Sequence, residues 1–410
     1  MKFHRALLIL VSLTFAFPLG KARAELLSPL ASRPNWASLE KYQQSITRED
    51  FLYLLNAVYA PGGGWKPFIT VGDRSASIQT SLGQPPFVLN FAPSQAAIRP
   101  ASRFWRQRSQ LPARPAARPL AGVRIAIDPG HIGGAWAKME ERWFQIGKTK
   151  PVTEGDMTLL VARLLVPRLQ ALGATVYLVR SKAAPVTPVR PDRLRKVAAA
   201  SLAEKNEPVT RAAVTKEAER LFYRVSEINH RATLVNETIR PDLVLCLHFN
   251  AEAWGDENHP TLTDKNHLHL LVSGCFGGKE LAFDDQRFTM LTKLLSRAHR
   301  EELAISESVG ASLARVTGLP PYQYQTSNQA LKIGASPYVW ARNLMANRVY
   351  QCPVIYIEPY VMNSQPVFDR IQAGDFDGQE AVAGKMQASI FREYADGIVR
   401  GLKNYYSSTD

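Results

Sequence analysis

The chain is predicted to be an α/β protein. A mostly parallel sheet is covered by helices on both faces and preceded by a small α+β N-terminal unit. Three observations predict this. Beyond residue 120, short apolar runs alternate with longer segments whose apolar residues recur at helical spacing, a β-α-β rhythm. Several of those runs are apolar throughout, as expected of strands buried on both faces. Before residue 99 the rhythm is absent, and one short helical signal accompanies two strand-like runs. The 410 residues accommodate both parts, and 46% hydrophobic with 21% charged residues excludes wholesale disorder and coiled coil.

Residues 1–24 read as a secretory signal peptide. Lys2 and Arg5 precede a mostly apolar run from Ala6 to Phe17, and Ala22-Arg23-Ala24 supplies a small-x-small cleavage site. The run is too short to span a bilayer comfortably, and no later stretch reaches eighteen apolar residues. The cleaved chain is therefore expected to be periplasmic or secreted and not an integral membrane protein. Residues 25–98 form the small unit. Thr47 is its helix cap, Leu52, Leu55 and Val58 the apolar stripe, and Pro61-Gly62-Gly63-Gly64 the stop. Residues 68–71 and 87–91 are its strands. In residues 99–120 arginine and proline alternate and apolar periodicity disappears, the composition of an extended linker.

Residues 121–410 hold the main domain. Strands are predicted at 123–127, 174–179, 243–247, 268–272 and 354–357. A helix at 157–172 contains Pro167, which predicts a kink or break. A second helix covers 217–238. The last places Val382, Met386, Ile390, Tyr394, Ile398 and Leu402 along one face. Two inserts enlarge the domain, near 183–218 and 276–302. In the second, Phe288, Leu291, Leu294, Leu295 and Ala298 suggest an amphipathic helix.

Lys plus Arg total 50 against 36 Asp plus Glu, a net charge of +14. A field of that sign favours nucleic acid, anionic lipid or an anionic wall polymer, and export argues against nucleic acid. Cys246, Cys275 and Cys352 form no C-x-x-C pair, which excludes a zinc ribbon and argues against a disulfide framework. Cys246 reads as a core residue, and a Cys275–Cys352 bridge stays open in an oxidising compartment.

Ligands of open α/β sheets gather beyond the carboxyl ends of the strands. Three strands end there in chemically competent groups: His131, His248 and Glu358. Singly, each has a bland explanation, a hydrogen-bonded histidine or an ion-paired glutamate. Three at corresponding positions point to a site. Glu154 joins them from the start of a helix, where the dipole favours a carboxylate. Two imidazoles and a carboxylate are a catalytic zinc set with a position left for water, and a further carboxylate can shuttle the proton. Glu140 and Glu141 compete with Glu154 for the ligand role, and the helix directly after Glu154 favours it. His267 and His269 share one strand face, where a rim or cross-strand role is favoured over metal.

These residues carry a resemblance. The run Ile125-Ala126-Ile127-Asp128-Pro129-Gly130-His131-Ile132-Gly133-Gly134 resembles the opening motif of the zinc-dependent N-acetylmuramoyl-L-alanine amidases, the peptidoglycan amidases of type 3. Glu154 with Leu159, Ala162 and Leu165 resembles that family's second-ligand helix. Arg231, Asn236 and the run from Asp242 to Ala251 are similar to its third-ligand segment, and Pro353 to Glu358 with Asn363 to its catalytic-glutamate segment. The resemblance implies Zn²⁺ held by His131, Glu154 and His248. It also implies that Glu358 activates water and protonates the leaving amine. The implied substrate is peptidoglycan, cut between the lactyl group of N-acetylmuramic acid and L-alanine.

An activator protein is an implied partner, because some relatives hold an inserted helix over the zinc until a partner displaces it. Residues 276–302 are the candidate for that role, with an ordinary packing helix as the alternative. The chain departs from the family at Ile132, which interrupts His-Gly-Gly, in the long loop at 135–152, and in the residues around Glu358. Two other functions remain open: a non-catalytic wall-binding or regulatory protein on the same scaffold, and a zinc amidohydrolase or peptidase for another amide.

Overall fold

The computed structural model describes residues 26–256, 259–326 and 330–408. The signal-peptide reading concerns residues outside them. Among the described residues no helix is long and apolar enough to cross a membrane.

The N-terminal unit begins with α1 (Arg48–Leu54), capped as expected: the Thr47 hydroxyl accepts from the Asp50 N–H at 3.2 Å. Strands β1 (Ile69–Val71), β2 (Ser75–Ile78) and β3 (Phe87–Asn90) form an antiparallel sheet in that order. Strand β2 escapes the sequence signal because half of it is serine, yet Ala76 and Ile78 point inward on alternate positions.

The main domain opens with β4 (Arg124–Pro129) and the short pair β5 (Trp143–Phe144) and β6 (Val152–Thr153). Helix α2 (Glu154–Ala171) and strand β7 (Thr175–Leu178) follow. The first insert contributes α3 (Arg195–Glu204) and α4 (Arg211–Leu221), and a π-helical turn links α4 to α5 (Glu227–Thr233). Then come β8 (Leu243–Leu247) and β9 (Leu268–Ser273). Helices α6 (Gly278–Leu281), α7 (Asp284–Leu295) and α8 (Ala298–Thr317) precede β10 (Leu331–Lys332) and β11 (Val339–Arg342). The chain finishes with α9 (Met345–Val349), β12 (Val354–Pro359), α10 (Gln365–Ala373), the hairpin β13 (Gln379–Val382) and β14 (Lys385–Ala388), and α11 (Ile390–Ser407).

Seven strands form one sheet in the order β10-β11-β9-β12-β8-β4-β7. β7, β4, β8 and β12 are parallel. β9 runs antiparallel to β12, and β11 lies parallel to β9. Strand alternation sends Ile125, Ile127, Leu243, Leu245, Ile355 and Ile357 into a core with α2, α8 and α11. The intervening Ala126, Val244, Cys246 and Val354 face Ala232, Val235 and Tyr350. Both faces are covered, which is why the strands read as apolar throughout.

Four details differ from expectation or extend it. Helix α2 passes through Pro167 as one 18-residue helix. Pro167 lies on the exposed side, where water can serve the carbonyl that proline leaves without an N–H donor. The final helix starts at Ile390, because Val382 and Met386 belong to the hairpin around Ala383-Gly384, both with positive φ. All three cysteines are buried, and the Cys275–Cys352 bridge is not formed: Cys352 lies beside the sheet, and the Cys275 N–H donates to the Val58 carbonyl. The arginine- and proline-rich segment delivers Trp105, 1% exposed, to the α5-side core, and Arg106 grips Asp242 at 2.6 Å.

Candidate functional site

His131 follows β4 in the left-handed region (φ 59°), a conformation its surroundings must hold. Buried Arg231 supplies that hold. Its guanidinium donates to the His131 carbonyl at 2.8 Å, to the Pro129 carbonyl at 2.9 Å and to Asp128 Oδ1 at 2.9 Å. Glu227 secures Arg231 at 2.8 Å, and the Tyr350 hydroxyl donates to the other Asp128 oxygen. Asp128 and Arg231, far apart in sequence, are thus one brace.

The His131 ring lies between two carboxylates. Nε2 is 3.2 Å from Glu154 Oε2, and Nδ1 is 3.6 Å from Glu140 Oε1. Glu140 accepts from the Ile132 N–H at 2.9 Å and the Gly133 N–H at 3.1 Å. It therefore sits behind the ring, where a carboxylate orients a ligating histidine and raises its basicity. Glu141 lines the same cleft away from the ring, near Lys216 and Arg224.

His248 Nδ1 is 3.0 Å from Glu154 Oε1, which also accepts from the Phe249 N–H at 3.1 Å. The His248 ring stacks on Tyr356 at 4.1 Å and occupies the space over Gly130, where a Cβ would fall 2.2 Å from the ring. Glycine is required again at Gly155, whose Cβ would lie 2.3 Å from the Gly133 nitrogen. That close approach seats Glu154 against the His131 loop, and Arg180 pins the Gly155 carbonyl at 2.8 Å.

Donor atoms of His131, Glu154 and His248 lie within 4.8 Å of one another. Burial alone would raise the Glu154 carboxyl, but His131 and His248 outweigh it and hold it well below the usual range. Burial alone would lower His131, yet Glu154 and Glu140 carry it up to about 9. These shifts are the two sides of one histidine–glutamate pairing, and it is the donor set itself, two imidazoles with a carboxylate, that fits Zn²⁺.

Glu358, at the end of β12, faces the same cleft, whose volume is about 760 Å³. Desolvation pushes its carboxyl up, as expected of a strand end at a core edge. His269 and His248 nonetheless bring it below the ordinary value. His269 is its cross-strand partner in the β9–β12 register, with Nε2 2.5 Å from Glu358 Oε2. Its neighbour His267 meets Glu252 at 3.6 Å. The cross-strand reading of these histidines names the correct surroundings. Nothing in the local sequence marks Glu140 as the carboxylate behind the His131 ring or Tyr356 as the ring on which His248 stacks, although Tyr356 and Glu358 share a face at period two.

The departures have physical reasons. Ile132, fully buried, anchors the first insert: it packs with Leu194, Ala198, Leu202, Leu221 and Phe222. Trp136 and Met139 of the long loop join that cluster. The insert therefore supports the loop that carries His131 and Glu140. Helix α7 of the second insert does not line the cleft; Met290, Leu291, Leu294 and Leu295 enter the core of the N-terminal unit. It is a packing helix.

No family model matches the chain, and no curated protein matches it in sequence. Solved structures do. The N-acetylmuramyl-L-alanine amidase of Mycobacterium smegmatis is 16% identical, with a TM-score of 0.38 over 71% of this chain and 99% of that one. The CwlD amidase from Clostridioides difficile, in complex with the GerS lipoprotein, gives 14%, 0.39, 70% and 99%. An amidase of Nostoc punctiforme gives 14%, 0.35, 70% and 99%. All three carry the name amidase, and two of them are named for N-acetylmuramyl- or N-acetylmuramoyl-L-alanine. Similarity at this level leaves the chemistry to the site itself.

Proposed function

We propose that this protein is an exported, zinc-dependent N-acetylmuramoyl-L-alanine amidase acting on peptidoglycan. The observation that carries the reading is the convergence of His131, Glu154 and His248 in one cleft with a fourth group, Glu358. Bound zinc would supply Lewis acidity towards an amide carbonyl and a water molecule.

This chain's own residues do the rest. Glu154 offsets the metal's charge, and Glu140 keeps the His131 ring in place. Glu358 takes a proton from water as hydroxide adds to the amide carbon. It returns that proton to nitrogen as the C–N bond breaks, leaving a carboxylate and a free amine. Arg142, Arg224 and Arg342 line the cleft and suit the carboxylates of a wall polymer.

The test is digestion of purified peptidoglycan by the full chain, with the released ends identified by mass spectrometry. A free L-alanine amine with a free lactyl carboxylate is expected. Chelator should abolish release and added zinc restore it, while His131→Ala and His248→Ala should lose metal and activity together. Other released ends would identify a different amidohydrolase; binding without release would identify a scaffold protein.

A further inference from the structure

Glu358 is held by a group outside the zinc-site motifs. Because β9 runs against β12, its beginning lies beside the end of β12, and the register places His269 directly opposite Glu358. His269 is 1% exposed, and its Nε2 stands 2.5 Å from Glu358 Oε2. The neighbouring groups assign the proton. The Asn250 side-chain oxygen accepts from the Ala251 N–H at 2.7 Å, which turns the amide nitrogen towards His269 Nδ1 at 3.5 Å. Nδ1 then accepts, and Nε2 carries a hydrogen that points at Glu358, much the nearer of its two partners, the Tyr324 hydroxyl standing at 3.5 Å. Rings of Tyr322 and Tyr324 pack against the imidazole at 5.0 and 5.7 Å and fix its plane.

We propose that His269 is the positioning residue for Glu358: its Nε2–H fixes one carboxylate oxygen, leaving the other to exchange the proton between water and leaving amine. The proposal rests on the reading of Glu358 as the proton carrier. A carboxylate on a strand end can rotate about its side-chain torsions, and a wrong rotamer removes the base from reach of water. Burial alone does not prevent this; a short hydrogen bond from a packed ring does.

Four full-length proteins test the proposal: His269→Ala, His269→Gln, Glu358→Gln and the double variant His269→Ala/Glu358→Gln. Each is measured for kcat and KM on peptidoglycan, zinc content and Tm. His269→Ala should lose about 10- to 100-fold in kcat with little change in KM and full zinc content. His269→Gln, which keeps a side-chain N–H donor, should recover much of the loss. In the double variant His269→Ala should add no loss beyond that of Glu358→Gln, because it acts only through that carboxylate.

A crystal structure of His269→Ala should show Glu358 turned or spread over rotamers, with His131, Glu154 and His248 in place. Wild-type kcat in His269→Ala, or an equal further loss in the double variant, would overturn the proposal. Loss of zinc in both folded His269 variants would overturn it too, making the residue part of the metal site. Near-wild-type turnover in Glu358→Gln is the separate signature of failure in the underlying reading, and takes the proposal with it.

Discussion

At the scale of single residues the centre depends on atoms that are missing as much as on those present. Gly130 leaves room for the His248 ring, and Gly155 lets the start of α2 meet the His131 loop. Adding one methyl group at Gly130 would place carbon 2.2 Å from an imidazole that is itself held by Tyr356. The ring cannot retreat without leaving Glu154. Gly130→Ala should therefore lose zinc and turnover together, while stability falls by only about 1–3 kcal/mol, as for other overpacked sites. Metal analysis beside a melting curve checks this; a variant that keeps zinc would show that the ring has more freedom than its contacts indicate. The same scale explains why Arg231 matters without touching the cavity's reacting groups: it restrains the carbonyls on either side of the loop that presents His131.

Elements carry the next level of control. Helices α3 and α4 form a hairpin whose polar side closes on Glu217. Its carboxylate receives Ser201 at 2.9 Å, Lys205 at 3.0 Å and Arg220 at 2.6 and 2.8 Å. Arg220 first, then Lys205 and Ser201, pull it down to about 2 from an ordinary 4.5, against the opposing effect of burial. A folded pKa below the unfolded one gives stability that is fully present above pH 4.5 and disappears as pH falls towards 2. Glu217→Gln should thus melt lower than wild type at neutral pH, and the two curves should converge through that acid window. A constant gap down to pH 2 would show that the carboxylate's charge is not what closes the hairpin. Since this hairpin also packs on Ile132, its loosening should reach the His131 loop.

Across the whole molecule, the two parts share a core. Phe276, Leu281, Met290, Leu291, Leu294 and Leu295 complete the apolar cluster begun by Trp36, Phe51, Leu55 and Leu89. Lys293 on the same helix pairs with Glu302 at 2.6 Å and donates to the Cys352 carbonyl at 2.7 Å, so α7 is tied to the entry of β12 as well. A helix with both attachments is placed to transmit stability, not to cover the cleft. Leu294→Ala should cost about 2–5 kcal/mol, as for other buried leucines, and leave basal turnover unchanged or lower. Chemical denaturation with a parallel peptidoglycan assay decides it; a rise in basal turnover would restore the gating role to this segment.

Local signals made much of this legible. Strand ends could be read because runs such as Leu243–Leu247 are apolar on both alternations, and a polar group directly after such a run must lie at the sheet's edge. That is why His131, His248 and Glu358 stand out as candidates, and why Glu154, at a helix start, joins them. Long-range pairing settled what no local window contains. Glu140 and Glu154 are equally acidic in sequence, and only the folded loop sends one behind His131 and the other in front. The apolar stripe of α7 has the same period whether it covers a cleft or fills a distant core. The direction of β9 is silent in its composition, because an apolar strand buries equally well either way round. Its reversal relative to β12 depends on the connections around it, and that reversal is what brings His269 to Glu358.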